Sequence, residues 1–167
     1  MEQVKELSHF EEDTVDVESL KSELKDDLPS GVVKALKKHN DILLSINAYE
    51  ENITSLTPYQ LSILEMYYNK AEREAWKIAG YYKSQYQYYY GKASTERGKV
   101  YIYGRDKHDY SINDSNYRSK IAEGENLEIS GIYEGYYVTW KGIALSYEGA
   151  RNTLKDMIKA IAVEGGS

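Results

Sequence analysis

The apolar positions of the chain fall into stripes of helical spacing, interrupted at a few well-marked points. Residues 1–14 show no such period, and an acidic, disordered tail is expected there. Val15, Val17, Leu20, Leu24 and Leu28 then fit one face of a short helix. It should end at Pro29, because the residue before a proline is pushed out of helical geometry. Ser30-Gly31 opens a second helix through Val32, Val33, Leu36, Leu43 and Ile46, which fades in the polar stretch from Glu50 to Ser55. Residues 15–56 thus read as a region of short helices.

Thr57-Pro58-Tyr59-Gln60 is the sharpest local signal. Threonine is a good N-cap, proline is tolerated at the first helical position, and glutamine at the third can close a capping box. From this start Leu61, Leu64, Tyr68, Ala71, Ala75, Ile78, Tyr82, Gln85 and Tyr89 recur at alternating steps of three and four, a heptad seam. Gly91 is the expected stop, since glycine enters the left-handed conformation that ends a helix without penalty. Residues 92–112, with Gly98, Gly104 and the run Val100-Tyr101-Ile102-Tyr103, read as a basic loop with room for a small β-hairpin.

After Asn113-Asp114 the helical pattern resumes through Ile129, Ile132, Tyr136, Thr139, Ile143, Ser146 and Ala150, extended by Leu154, Met157 and Ile161. The composition pulls the other way. Ile129 to Tyr147 is rich in strand-favouring residues, and Gly131, Gly135, Gly142 and Gly149 each cost a helix about 1 kcal/mol relative to alanine. Gly135, Gly142 and Gly149 lie seven apart beside the seam, where close approach of another backbone is expected. The fold expected is all-α: a long helical hairpin core over residues 57–162, expected to be the oligomerisation region, preceded by short helices. Two long helices offer more apolar stripe than they and two short helices can bury together, so a homo-oligomer is expected. The interface candidates are Tyr82, Tyr89, Ile129, Ile132, Tyr136 and Ile143. Gly165-Gly166-Ser167 reads as a fraying tail.

Composition narrows the chemistry. With 167 residues the chain suits one domain, and with no cysteine it has no disulfide, thiolate nucleophile or cysteine-ligated metal. It opens on an acidic, polar stretch with no apolar run near the roughly 20 residues of a membrane span, so a soluble, intracellular, cytoplasmic protein is expected. The net charge is −6, but it is polarised. Residues 1–30 carry three Lys/Arg against ten Asp/Glu, whereas residues 77–107 carry seven against two.

No catalytic constellation stands out. Gly91-Lys92-Ala93-Ser94 lacks the second glycine of a phosphate-binding loop, because Tyr86 stands in its place. His9, His39 and His108 are scattered without metal-ligand spacing, and Glu11-Glu12-Asp13 and Asp26-Asp27 read as solvated acids. No enzyme, metal or cofactor is expected. Between residues 81 and 90 stand six tyrosines, in a chain with one phenylalanine. Tyr82 and Tyr89 fall on the seam with Tyr86 at its edge; Tyr81, Tyr88 and Tyr90 lie off it, with Lys77, Lys83 and Lys92 among them. Rings interleaved with cations can stack bases at about 1–3 kcal/mol each while lysines follow phosphates, the requirement of a single strand. A packing or subunit interface explains the same rings, and both readings stand at this point.

Two blocks add a resemblance. A capped helix carries Tyr67-Tyr68-Asn69-Lys70 and a Lys83-centred run into Tyr88-Tyr89-Tyr90-Gly91-Lys92, followed by a basic stretch. A later helix carries Leu127-Glu128-Ile129, Tyr136-Tyr137, Trp140 and the closing pattern Ala150, Leu154, Ile158, Ile161. In order and spacing, over about residues 57–162, the chain resembles the UvsY-type recombination mediator proteins of tailed phages. Leu20-Lys21-Ser22-Glu23-Leu24-Lys25 corresponds loosely to that family's short leading helix. The resemblance implies a ring-like homo-oligomer that binds single-stranded DNA, remodels the single-strand-binding protein and loads a phage RecA-like recombinase in the host cell. It also implies a DNA-binding basic pair two residues apart, of which Lys83 matches the first member while Gln85 replaces the second. Lys92, Arg97 and Lys99 are the candidates to supply that charge. The expected DNA-binding set is therefore Lys77, Lys83, Tyr88, Tyr90, Lys92, Arg97 and Lys99. The alternative is a helical scaffold that ignores nucleic acid.

Overall fold

A computed structural model describes residues 28–164. The expected acidic tail, the helix over Val15–Leu28 apart from Leu28 itself, and the terminal Gly-Gly-Ser lie outside the described residues. Among those described the fold is all-α, with no strand: α1 spans Ser30–Glu50, a 3-10 turn Ile53–Ser55, α2 Pro58–Lys107 and α3 Ile112–Glu164. Pro29 is the extended N-cap of α1 and its carbonyl accepts from the backbone N–H groups of Val32 and Val33. The Thr57 capping box forms in full: Gln60 N–H donates to Thr57 Oγ1 at 3.3 Å, and Thr57 N–H donates to Gln60 Oε1 at 2.9 Å.

The fifty residues of α2 and fifty-three of α3 make rods about 75 and 80 Å long. Their contacts run in opposite order along the two helices, so they lie antiparallel and side by side. Lys155 meets Glu65 at 3.6 Å, Arg151 meets Glu72 at 2.5 Å, Ser130 Oγ donates to the Tyr86 carbonyl at 3.2 Å, and Arg97 meets Glu123 at 2.9 Å. α1 covers the groove between them at the end nearer the chain's C-terminus. The Tyr49 ring packs on Tyr67 at 6.0 Å, the Tyr68 hydroxyl donates to Glu50, and His39 packs edge-on to Trp140 at 5.1 Å. The core is this three-helix section, with Leu36, Leu61, Leu64, Ile78, Tyr82 and Trp140 all but fully buried.

Two expectations are corrected. Gly91 does not stop the helix and residues 92–107 form neither loop nor strand pair: α2 runs unbroken through Lys107. Among the described residues no glycine has positive φ. Each helical glycine costs about 1 kcal/mol, but burial of Ala93 and Gly104 against α3, together with the Ser130 and Arg97 contacts, carries the helix across the gap. The turn falls at residues 108–111, where Asp109 takes the positive φ of 51° and Ser111 caps α3 by accepting from Asp114 N–H at 3.1 Å.

The second correction concerns the buried stripe of α3. Ser130, Tyr133, Trp140, Ala144, Tyr147 and Leu154 are buried, whereas Ile132 is 49% exposed and Thr139 and Ile161 face solvent. The helix is rotated by about one residue from the expected seam because burying the larger Trp140 and Tyr147 removes more apolar area than burying Ile132 and Ile161. At Gly135, Gly142 and Gly149 a Cβ would meet nothing within 4 Å, so among the described residues no backbone of this chain approaches them.

Candidate nucleic-acid interface

Because α2 continues past Gly91, the tyrosine tract and the basic stretch share one helix, and helical spacing sorts the expected DNA-binding residues onto two lines. Lys77, Tyr88, Lys92 and Lys99 are separated by eleven, four and seven residues and share one face. Lys92 Nζ stands over the Tyr88 and Tyr89 rings at 6.0 and 5.4 Å. Tyr88 is 59% exposed, so a ring and a cation are offered together to solvent. Lys83, Tyr90 and Arg97 follow one another at seven-residue steps on the other flank. There Lys83 Nζ lies 5.9 Å from the Tyr137 ring, Tyr90 packs on Tyr86 at 6.2 Å, and Arg97 is engaged by Glu123. The expected grouping of Tyr88 and Tyr90 beside both Lys83 and Lys92 on one face is thus split.

Several of these cations already have anionic neighbours. Lys77 pairs with Glu74 at 2.6 Å and Lys99 with Glu96 at 2.9 Å, both exposed pairs one helical turn apart. Such pairs are worth a few tenths of a kcal/mol and yield readily to a phosphate. Gly91–Ser94 lie inside α2, so no loop cradles a phosphate there.

The interface candidates divide as well. Tyr82 is fully buried by its own chain, stacked on Tyr136 at 5.1 Å and beside Tyr133. Burial pushes its hydroxyl well above the usual tyrosine range. Tyr89 stacks on Tyr133 at 5.5 Å, and Ile129, Tyr136 and Ile143 are partly buried against the same core. Of the six, Ile132 is the one left largely exposed.

A feature that sequence reasoning missed sits at the turn. His108 stacks on Tyr110 at 5.1 Å and meets Tyr103 edge-on at 5.0 Å, while the Arg118 guanidinium stands 4.6 Å over Tyr110. Arg105 donates to the Tyr110 carbonyl at 2.7 Å. The signal was Tyr103 and Tyr110 flanking Arg105, Lys107 and His108, concealed by reading the stretch as a loop. Nearby, Ser94, Arg97, Gly98, Tyr101, Ile102, Asn116 and Ser119 line an open groove of about 360 Å³.

Away from this surface, His39 is buried with Nε2 2.8 Å from the Tyr147 hydroxyl. Burial holds its imidazole below the usual value of 6.5, and burial first and then the Glu50 carboxylate push Tyr68 and Tyr147 upward. This is a packed polar cluster that locks α1 onto the other two helices.

Among the described residues no helix is long and apolar enough to cross a membrane. No protein family, curated protein or solved structure matches the chain.

Proposed function

We propose that the chain is a non-catalytic, single-stranded DNA-binding protein whose helical hairpin assembles into a homo-oligomer. In this reading it acts, as the resemblance to UvsY-type mediators implies, in loading a phage RecA-like recombinase onto DNA covered by single-strand-binding protein in the host cytoplasm. The observation that carries the reading is the line of Tyr88, Lys92 and Lys99 on α2, an exposed ring with a half-buried cation over it and further exposed charge two turns on. A base stacks on the ring while the cations follow the phosphates. Repetition of the line around a closed assembly turns a few cations per protomer into a track, and linked weak sites gain effective concentration.

The test is fluorescence anisotropy with a labelled oligothymidylate. If about four phosphates are neutralised per protomer, the log-log salt slope is about −3, and affinity falls about fiftyfold between 50 and 200 mM salt. Lys92→Gln with Lys99→Gln should lower the slope by about 1.4 and Tyr88→Ala should weaken binding by roughly 1–3 kcal/mol. No binding at 50 mM salt removes the proposal.

A second reading, a scaffold that ignores nucleic acid, is favoured by the exposed Ile102, Ile112, Ile121 and Leu127 near the turn. Its signature is an oligomer by light scattering whose mass does not change on adding the oligonucleotide and whose solution shows no anisotropy signal.

A further inference from the structure

The line of rings and cations on α2 does not end at Lys99. Tyr103 stands four residues further along, so Tyr88, Lys92, Lys99 and Tyr103 follow one another at steps of four, seven and four on one face. The two rings at its ends are presented alike. Each is 59% exposed, and each is braced by a neighbouring ring at a steep angle, Tyr88 by Tyr89 at 5.2 Å and Tyr103 by His108 at 5.0 Å. The brace of Tyr103 is itself fixed from behind. His108 lies 15° from parallel on Tyr110, the Arg118 guanidinium stands 4.6 Å over the Tyr110 ring, and Arg105 donates to the Tyr110 carbonyl at 2.7 Å.

Closing the turn accounts for His108, Tyr110, Arg105 and Arg118, which tie the end of α2 to the start of α3. It does not account for Tyr103, the outermost member of the column, which buries little of its ring in joining it. An aromatic side chain held in place before a ligand arrives loses little freedom when a flat group covers it, and so keeps more of the stacking energy. The turn brings little net charge to this ring. Asp106 stands seven residues beyond Lys99 on the same face, and Asp106 and Asp109 offset Arg105 and Lys107. What Tyr103 adds to the line is therefore a stacking surface rather than a cation.

We infer that Tyr103 is a second base-stacking platform for the strand, set about 22 Å from Tyr88 along α2, with Lys92 and Lys99 following the phosphates between the two rings. The inference rests on the function proposed above and adds to it the length of strand that one protomer takes up. At the helical rise of about 3.4 Å per nucleotide, about seven nucleotides reach from ring to ring, and fewer do when the strand is drawn out. A trinucleotide would need about 11 Å for each of its two steps, about three times that rise, and so covers one ring at a time.

The test uses the full-length protein, a labelled twelve-nucleotide oligothymidylate read by anisotropy, and unlabelled thymidine trinucleotide as its competitor. Tyr103→Ala should weaken binding of the twelve-mer about tenfold or more and leave the log-log salt slope unchanged. It should weaken competition by the trinucleotide no more than about twofold, because one of two equivalent rings remains. Tyr103→Phe, which keeps the ring, should bind as the parent does, and Tyr103→Leu, apolar but not planar, should lose as much as Tyr103→Ala. An unchanged affinity for the twelve-mer in Tyr103→Ala, while Tyr88→Ala still weakens it, overturns the second platform and leaves the proposed function standing. A loss that comes with a shallower salt slope, or that Tyr103→Leu repairs, belongs to the shape of the turn and overturns it as well. If the parent binds no oligothymidylate at about 50 mM salt, the function reading fails and the platform falls with it.

Discussion

Replacing Gly91 by alanine tests the central structural claim about α2 through the sign of one number. If Gly91 lies in the helix interior, a Cβ there meets nothing within 4 Å and the substitution removes only the conformational freedom that glycine loses on folding. The gain is then about 1 kcal/mol. For a chain of this size that raises the melting temperature by roughly 2–4 °C. If the helix stopped at Gly91 in the left-handed conformation, alanine there would cost about 1–2 kcal/mol instead. The assay is urea unfolding followed by helical circular dichroism at one fixed protomer concentration, since assembly makes apparent stability concentration-dependent. Gly98→Ala serves as the companion, being equally open. The two sites lie about 10 Å apart along the helix, so the double variant should gain about 2 kcal/mol. A lower midpoint for Gly91→Ala with an unchanged m-value would refute a continuous α2.

The buried His39 gives a pH dependence. Its folded pKa lies below the unfolded 6.5, so the unfolded chain binds more protons between those values, and stability is lost as pH falls through 6.5 toward the folded value. His39→Gln should flatten the midpoint-against-pH curve between pH 7.5 and 5; an unaltered curve would assign the slope elsewhere. Tyr82→Phe removes a buried hydroxyl that has no hydrogen-bond partner in the structure and should leave stability unchanged or raise it by up to about 1 kcal/mol. Tyr147→Phe, which strips the hydrogen bond from His39, should cost about 1 kcal/mol by the same unfolding assay. Equal effects from the two would show that the polar cluster does not hold α1. Gly135→Ala and Gly142→Ala, both open within the chain, should each stabilise by about 1 kcal/mol and leave the mass by light scattering unchanged. A fall in mass would place a second copy's backbone on that face.

What could be read from the sequence was whatever local chemistry decides. Thr57, Pro58 and Gln60 fix a helix start whichever fold surrounds them, and the seam from Leu61 to Tyr82 is buried at nearly every expected position. The reading failed where tertiary packing outweighs propensity. Gly91, Gly98 and Gly104 look like punctuation in one dimension, but Gly104 sits where a Cβ would stand 3.1 Å from Ser115 Oγ and Tyr110. Its missing side chain permits a close approach of two helices and does not mark a break. The register of α3 was ambiguous by one residue because Ile129, Ile132 and Ile143 compete with Tyr133, Trp140 and Tyr147 for the same face. The partner of His39 at Tyr147 lies 108 positions away, a contact no period encodes. Tyr88 and Lys92 were found together because both signals sit on one turn of helix, whereas Tyr90 was wrongly grouped with them for want of knowing where α3 lay.

The two ends of the long helix pair differ in what holds them, and that difference bears on function. Under α1, the seam is filled by Leu61, Leu64, Ile78, Tyr82 and Trp140, each fully buried large side chain worth about 1.5–3 kcal/mol. Beyond the start of α1, the fully buried positions are Ala93, Gly104, Ser115 and Ser119, small residues that bring the helices close but bury little apolar area. The large apolar side chains there, Ile102, Tyr103, Tyr117 and Ile121, point outward, and Ser115 Oγ has no hydrogen-bond partner in the structure. A section built this way gains little from its own core, so local opening should concentrate between residues 92 and 130. Amide hydrogen exchange on the free chain should therefore be faster in that section than in residues 61–82. Adding the oligothymidylate should slow exchange selectively around Tyr88 to Ile102 if the exposed line is the binding face. Slowing confined to the section under α1, with the far section unchanged, would place the ligand elsewhere and separate the stacking surface from the tyrosine–lysine line altogether.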